Sequence, residues 1–238
     1  MDREINVLFD EKKRDKVVSL FLDKIILLLG VNIKLRILDI GAGPKKYEGL
    51  CNKLGMNYFS HDFAKYKGAN SEPNTDIPGF REETWPSESN YDMVSDILEL
   101  PIKFCDIALL TEVLEHVPDP VLALNKVSES INSRGFLIVS VPSHSLIHQA
   151  PFYFSSGLSE FWFKEHCKRL DLEIIESVYI GDYLDFINLH SNLYLPSYLL
   201  GALRVLRILK NIVLRPLLAK NLLSSSSCGL ILLIRKMN

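Results

Sequence analysis

The amino-acid sequence predicts an α/β fold, a twisted, mostly parallel sheet covered by helices on both faces. Three observations predict it. Short apolar runs alternate along the chain with segments of helical apolar spacing. The first of these runs breaks directly into a glycine turn. A chain of 238 residues, 47% hydrophobic and 24% charged, can bury one substantial core and is unlike a disordered, collagenous or disulfide-built chain. The whole chain, 1–238, reads as a single domain.

The elements follow in order. Val17, Val18, Leu20, Phe21, Ile25, Ile26, Leu28 and Leu29 recur at helical spacing and stop at Gly30, which predicts a leading helix with a C-terminal glycine. Arg36 to Ile40 is the first strand, running into Gly41-Ala42-Gly43-Pro44. Tyr58 to His61 predicts a second strand, Tyr91 to Val94 a third and Asp106 to Leu110 a fourth. Asp119-Pro120 places an N-cap acceptor before a proline at the first helical position, and Val121, Leu122, Leu124, Val127 and Ile131 supply the apolar face of a crossover helix. Phe136 to Val141, entered through the Ser133-Arg134-Gly135 turn, is the fifth strand. Ser155-Ser156 is expected to cap a helix running to Leu170. Leu172 to Ile180 is the sixth strand and Gly229 to Ile234 the seventh.

Two segments break this rhythm. Phe63 to Asn90 is polar and punctuated by Pro73, Pro78 and Pro86, a connection long enough for a lid or a disordered insert. The second is an annex at about 185–223, helical by pattern and followed by the Ser224 to Ser227 link. After Asp185 there is no acidic residue, and seven basic side chains set a +7 annex and tail against a body of −9, for a net charge of −2. Leu199, Leu200, Leu203 and Leu206 alternate there with Arg204, Arg207, Lys210 and Arg215. Such helices can meet a membrane interface peripherally, a second copy in a homodimer, or the sheet itself. Nucleic acid is not an expected partner, because the arginines lack interleaved aromatics and the body is acidic. Phe186 to Leu203 is uncharged but too polar for a lone membrane span. Four cysteines without a C-x-x-C pair, and a charged start without a secretory pattern, place the chain in the reducing cytoplasm.

The chemistry gathers at strand ends. A glycine turn after a buried strand lets a ligand approach the backbone, which makes Gly41 and Gly43 cofactor contacts. The dinucleotide fingerprint fails at its last glycine, where Lys46 stands. Asp39 ends the first strand, and Asp62 follows 23 residues later at the end of the second, where a carboxylate can accept from both hydroxyls of a ribose. Asp96 ends the third and can accept from the exocyclic amine of adenine, with Ile97 and Leu98 against the ring. One acid alone is as readily a cap; three at successive strand ends favour a nucleoside site.

With these residues in place, Ile37-Leu38-Asp39-Ile40-Gly41-Ala42-Gly43-Pro44 resembles motif I of the class I S-adenosylmethionine-dependent methyltransferases. Asp96 to Pro101 resembles their adenine-binding segment. Thr111 to Pro120 is similar to the signature after the fourth strand in the quinone- and sugar-methyltransferase subgroup (methyltransferase type 11), and Ser133 to Pro142 to the entry of strand five. The resemblance covers about residues 15–182. It implies a Rossmann-like seven-stranded sheet with an antiparallel last strand, S-adenosylmethionine as cofactor, and a small-molecule or lipid-linked hydroxyl-bearing acceptor, a sugar of surface-glycan biosynthesis ahead of a quinone. A relative of this fold working as a non-catalytic scaffold is the rival from another class. The family often has glycine where Lys45 stands, and Lys45-Lys46 bring positive charge that the methionine carboxylate can pair with.

Methyl transfer needs an aligned acceptor and a base, and no metal. His116, after the fourth strand, and His144 and His148, after the fifth, are the candidate bases, each equally readable as a loop or cap residue. Glu112 is expected to touch the cofactor's amino group or to order its loop. Of the aromatic segment Pro151 to Phe163, Tyr153 is the side chain expected to meet substrate, while Phe161 and Phe163 are expected in the core.

Overall fold

In a computed structural model, the described residues are 8–30, 34–65, 87–145, 147–181 and 228–238. The annex at 185–223, the Ser224 to Ser227 link and most of the Phe63 to Asn90 connection lie outside them. The elements are α1 (Leu8–Leu29), β1 (Arg36–Ile40), α2 (Glu48–Lys53), β2 (Asn57–Asp62), β3 (Met93–Val94), β4 (Cys105–Thr111), α3 (Pro120–Ser130), β5 (Ile131–Pro142), α4 (Glu160–Arg169), β6 (Leu172–Ile180) and β7 (Gly229–Lys236). The strands form one seven-stranded sheet in the order β3-β2-β1-β4-β5-β7-β6, with β7 antiparallel to both its neighbours. This is the Rossmann-like sheet that the motifs imply. Because the order reverses between β1 and β4, the loops after β1 and β4 diverge and leave a crevice at the strand C-termini.

Strand alternation sorts the core onto two faces. On one, Leu38, Ile40, Ala108, Leu110, Leu137 and Val139 pack against Ala123, Leu124 and Val127 of α3 and Phe163 and Cys167 of α4. On the other, Ile37, Ile107, Leu109, Phe136 and Ile138 meet Val18, Phe21, Leu22 and Ile25 of α1. Those four α1 residues stand at helical i, i+3, i+4, i+7 spacing, and burying each contributes roughly 1.5–3 kcal/mol, so tertiary packing holds the helix in place. Gly30 ends it with φ +87°.

Three local expectations are refined. Asp119 does cap α3, accepting from Leu122 N at 2.9 Å, but Val121 and Leu122 are exposed and the buried face is Ala123, Leu124 and Val127. The Ser133-Arg134-Gly135 turn is an excursion within β5: Ile131 pairs with Cys105 and Phe136 with Ile107. Gly135 is required there, because a Cβ would sit 2.6 Å from Asp106 O and from Ile131 Cγ2. The cap of α4 is Ser159, whose Oγ accepts from Trp162 N at 3.2 Å, and the helix begins four to five residues after Ser155-Ser156. The backbone ahead of it is taken up elsewhere, with Phe154 N and Ser155 N both donating to Glu115 O.

Candidate functional site

The site is built on the C-terminal edge of the parallel strands. Gly41 and Gly43 turn out of β1 with φ of +68° and +49°, and a Cβ on Gly41 would lie 2.5 Å from Val113 Cγ2. Backbone conformation and the loop after β4 therefore both demand glycine at 41. Lys45 also has a left-handed φ of +55°, which explains why glycine suits that place and why the turn still closes, through Lys45 N on Ala42 O at 2.8 Å. Lys46 is engaged by α1, its Nζ 2.9 Å from Asp15 Oδ2. The same carboxylate accepts from Tyr47 Oη at 3.1 Å. The leading helix thus walls one side of the glycine turn, a role that its apolar periodicity did not announce.

The three acids differ in environment. Asp39 is buried beneath the turn and accepts from Tyr58 Oη at 2.6 Å. Burial pushes its carboxyl up to about 7, against the Tyr58 hydrogen bond and with a smaller push from Asp62. Asp62 is also buried, and its two oxygens accept from Gly43 N at 3.0 Å and Ala64 N at 2.9 Å, tying the end of β2 to the turn after β1. Each carboxylate oxygen has a second lone pair for a hydroxyl donor. Tyr91 closes the same corner by donating to Gly43 O at 3.0 Å. Asp96 is exposed and accepts from Leu98 N at 3.0 Å, capping the single 3₁₀ turn Ile97–Glu99. Ile97 is in the core below this turn, while Leu98 faces solvent.

The loops after β4 and β5 supply the other side. Glu112 has a left-handed φ of +55°, accepts from Ser140 Oγ at 2.7 Å and lies 3.7 Å from Arg14 Nη1 of α1. His116 ends the 3₁₀ turn Leu114–His116 with Nδ1 2.5 Å from Phe152 O; a carbonyl can only accept, so the ring donates from Nδ1 and presents Nε2 as a lone pair. Burial, then the proximity of His148, lower its pKa to about 4. The His148 ring meets His116 edge-on at 4.7 Å and Tyr153 at 5.2 Å. Tyr153 Oη donates to Ser145 O at 2.8 Å.

The structure thus brings His116, His148 and Tyr153 together, and Gly41, Gly43, Asp39 and Asp62 together. His144 is exposed, whereas His116 and His148 are partly buried. Phe163 is core as expected, whereas Phe161 is 78% exposed and corrects that expectation. The residue that sequence reasoning passed over is Glu115, 1% exposed, between Leu114 and His116. The available signal was an acid set among Val113, Leu114 and Val117, beside a histidine, in the turn that follows a buried strand. The residues present suit a nucleoside cofactor: acceptors stand at the ends of β2 and β3, and the turn after β1 carries positive-φ glycines whose backbone a ligand can approach.

Comparison with known proteins agrees with this geometry. The methyltransferase-domain family matches residues 1–192. No curated protein matches the sequence. Among solved structures, an Archaeoglobus fulgidus SAM-dependent methyltransferase is similar with a TM-score of 0.53 and 19% identity, covering 96% of this chain and 98% of that one. The [4+2]-cyclase SpnF is similar with a TM-score of 0.55 and 14% identity, over 93% and 80% of the two chains. Haemonchus contortus phosphoethanolamine N-methyltransferase 2, solved with S-adenosyl-L-methionine, gives 0.50 and 12%, over 92% and 53%. Such identities speak for the fold, and the family match speaks for the kind of enzyme: the chain belongs to the methyltransferase-domain family and is a class I S-adenosylmethionine-dependent methyltransferase.

Proposed function

We propose that the chain methylates a small or lipid-linked acceptor through a hydroxyl, with a sugar of surface-glycan synthesis as the first class to test and a quinol as the second. The observation that carries this reading is the meeting of His116, His148 and Tyr153 at the ends of β4 and β5, on the sheet edge that also holds the glycine turn. S-adenosylmethionine supplies a methyl group on a positively charged sulfur that needs no further activation. What remains for the protein is to hold the acceptor and move one proton. Asp62 is assigned to the ribose hydroxyls, Asp96 with Ile97 and Leu98 to the adenine, Asp39, Gly41 and Gly43 to the turn beside them, and Glu112 to the amino end. Of the three candidate bases, His116 has the best-defined role, because its Nδ1 is held by Phe152 O and its Nε2 is left as the acceptor. His148 completes the pair, and the exposed His144 is the weakest candidate. Tyr153 offers an aromatic wall to the acceptor.

The test is calorimetric titration with S-adenosylhomocysteine and, separately, NAD, followed by transfer of a labelled methyl group to sugar nucleotides, lipid-linked sugars and quinols. Heat with the first ligand alone and label in a sugar fraction support the proposal. Label confined to quinols, or to an amine acceptor added as control, removes the sugar reading.

A further inference from the structure

Methyl transfer by itself needs no metal, yet the turn after β4 and the loop after β5 together offer a place for one. Glu115, His116 and His148 each present a ligand atom, and these atoms lie within 4.8 Å of one another. His116 Nε2 is 3.8 Å from Glu115 Oε1. Two further observations point to a ligand between them. Glu115 is 1% exposed, and among the described residues neither of its carboxylate oxygens has a hydrogen-bond partner. A buried carboxylate left without donors is costly, and a cation is one of the few occupants that satisfies it. Second, His116 donates its Nδ1 hydrogen to Phe152 O, the outer contact that orients a metal-binding imidazole and directs Nε2 inward. The backbone is braced in the same sense, since Phe154 N and Ser155 N hold Glu115 O and so keep the loop after β5 over the turn that carries Glu115 and His116.

We propose that Glu115, His116 and His148 bind a divalent transition-metal ion. Two imidazoles and one carboxylate suit Zn²⁺, Co²⁺ or Fe²⁺ rather than Mg²⁺ or Ca²⁺, which take oxygen ligands. Tetrahedral binding at bond lengths of about 2.0–2.2 Å requires the three side chains to close modestly on the ion, by rotation about side-chain bonds. Three protein ligands leave positions for an exchangeable oxygen. In the methyltransferase reading, on which this role rests, that oxygen is the acceptor hydroxyl, and with the ion bound the Nε2 lone pair of His116 serves as ligand in place of base. The acceptor's O–H bond breaks with the proton passing to solvent, and the oxygen keeps the electron pair while the cation offsets its charge. The metal site itself does not depend on that reading.

The experiment uses the full-length chain without a histidine tag. It is stripped with chelator, dialysed and titrated with Co²⁺ and Zn²⁺ while visible absorption and heat are recorded. The expected result is saturation at one equivalent, with the cobalt d–d bands of a low-coordination site that Zn²⁺ then bleaches. His148→Ala and the near-isosteric Glu115→Gln are each expected to weaken binding by more than the roughly 10- to 100-fold that losing an outer contact costs. Far-ultraviolet circular dichroism and S-adenosylhomocysteine affinity, measured on the same samples, verify that the variants fold and separate this proposal from the methyl-transfer reading. Failure to saturate at one equivalent, or unchanged affinity in both folded variants, overturns the site even where S-adenosylhomocysteine binds normally.

Discussion

Asp39 shows how one buried carboxyl couples the glycine turn to pH. The folded protein holds its proton up to about pH 7, whereas an ordinary carboxyl releases it near 3.8. In the folded state the proton is bound more tightly, so its stabilisation is complete below the unfolded value and is lost as pH rises through the folded one. Asp39→Asn keeps an oxygen for Tyr58 Oη and removes the titration. Urea denaturation from about pH 4 to about pH 8 should show the wild type losing stability relative to the variant as pH rises, and parallel curves would place the titrating group elsewhere. The acids assigned to the cofactor separate in a second way. Asp96→Ala removes an exposed acceptor, and S-adenosylhomocysteine affinity is expected to fall roughly 10-fold with little change in melting temperature. Asp62→Ala also strands the amides of Gly43 and Ala64, so it is expected to cost about 1–3 kcal/mol of stability besides affinity. Both variants binding like wild type would make these acids caps only. From sequence, Asp62 reads as a ribose acceptor by its distance from Asp39; its structural duty between two loops is visible only once β1 and β2 are side by side.

Elements were legible where local rules are strong. The proline after Asp119, the glycine after Leu29 and the apolar alternation of Leu172 to Ile180 each specify a boundary through backbone chemistry within a few residues. The start of α4 was not legible, because Ser155, Ser156 and Ser159 are equivalent as caps in sequence. What distinguishes them is the hydrogen bonding of Phe154 N and Ser155 N to Glu115 O, which holds that backbone out of the helix. Ser159→Ala is therefore expected to destabilise the protein by about 1 kcal/mol, and Ser156→Ala to change stability by less than about 0.5 kcal/mol. Equal effects in thermal melts would return the cap to the earlier serines. The exposure of Phe161 has another origin: residues two apart on a helix point about 200° apart, so with Phe163 and Cys167 in the buried places Phe161 faces solvent.

At the scale of the whole molecule, the match to the methyltransferase-domain family favours the enzyme over a non-catalytic scaffold, and the acidic body with a basic annex raises the question of where the enzyme works. Among the described residues no helix is long and apolar enough to cross a membrane. The annex at 185–223 is proposed, from its charge pattern, as a peripheral contact with anionic lipid that brings the site to a lipid-linked acceptor. Each basic side chain at such a surface contributes ~1 kcal/mol, screened by salt, so binding should be reversible. Flotation with anionic vesicles is expected to recover the protein at low salt and release it at high salt, with recovery lost when Arg204, Arg207, Lys210 and Arg215 become glutamine. Equal recovery on neutral vesicles, or no loss in the variant, leaves core packing or a homodimer as the annex's role. By itself the sequence determined the alternation of strands and helices, the glycine turn after β1, the acids at the strand ends and the family, because periodicity, turn chemistry and motif spacing are properties of short segments. Only the tertiary structure decided that α1 walls the turn through Asp15, that His148 and Tyr153 join His116, and that Glu115 lies buried beside them. Those relations join residues from separate segments of the chain, and no local rule relates side chains that meet only when the sheet is assembled.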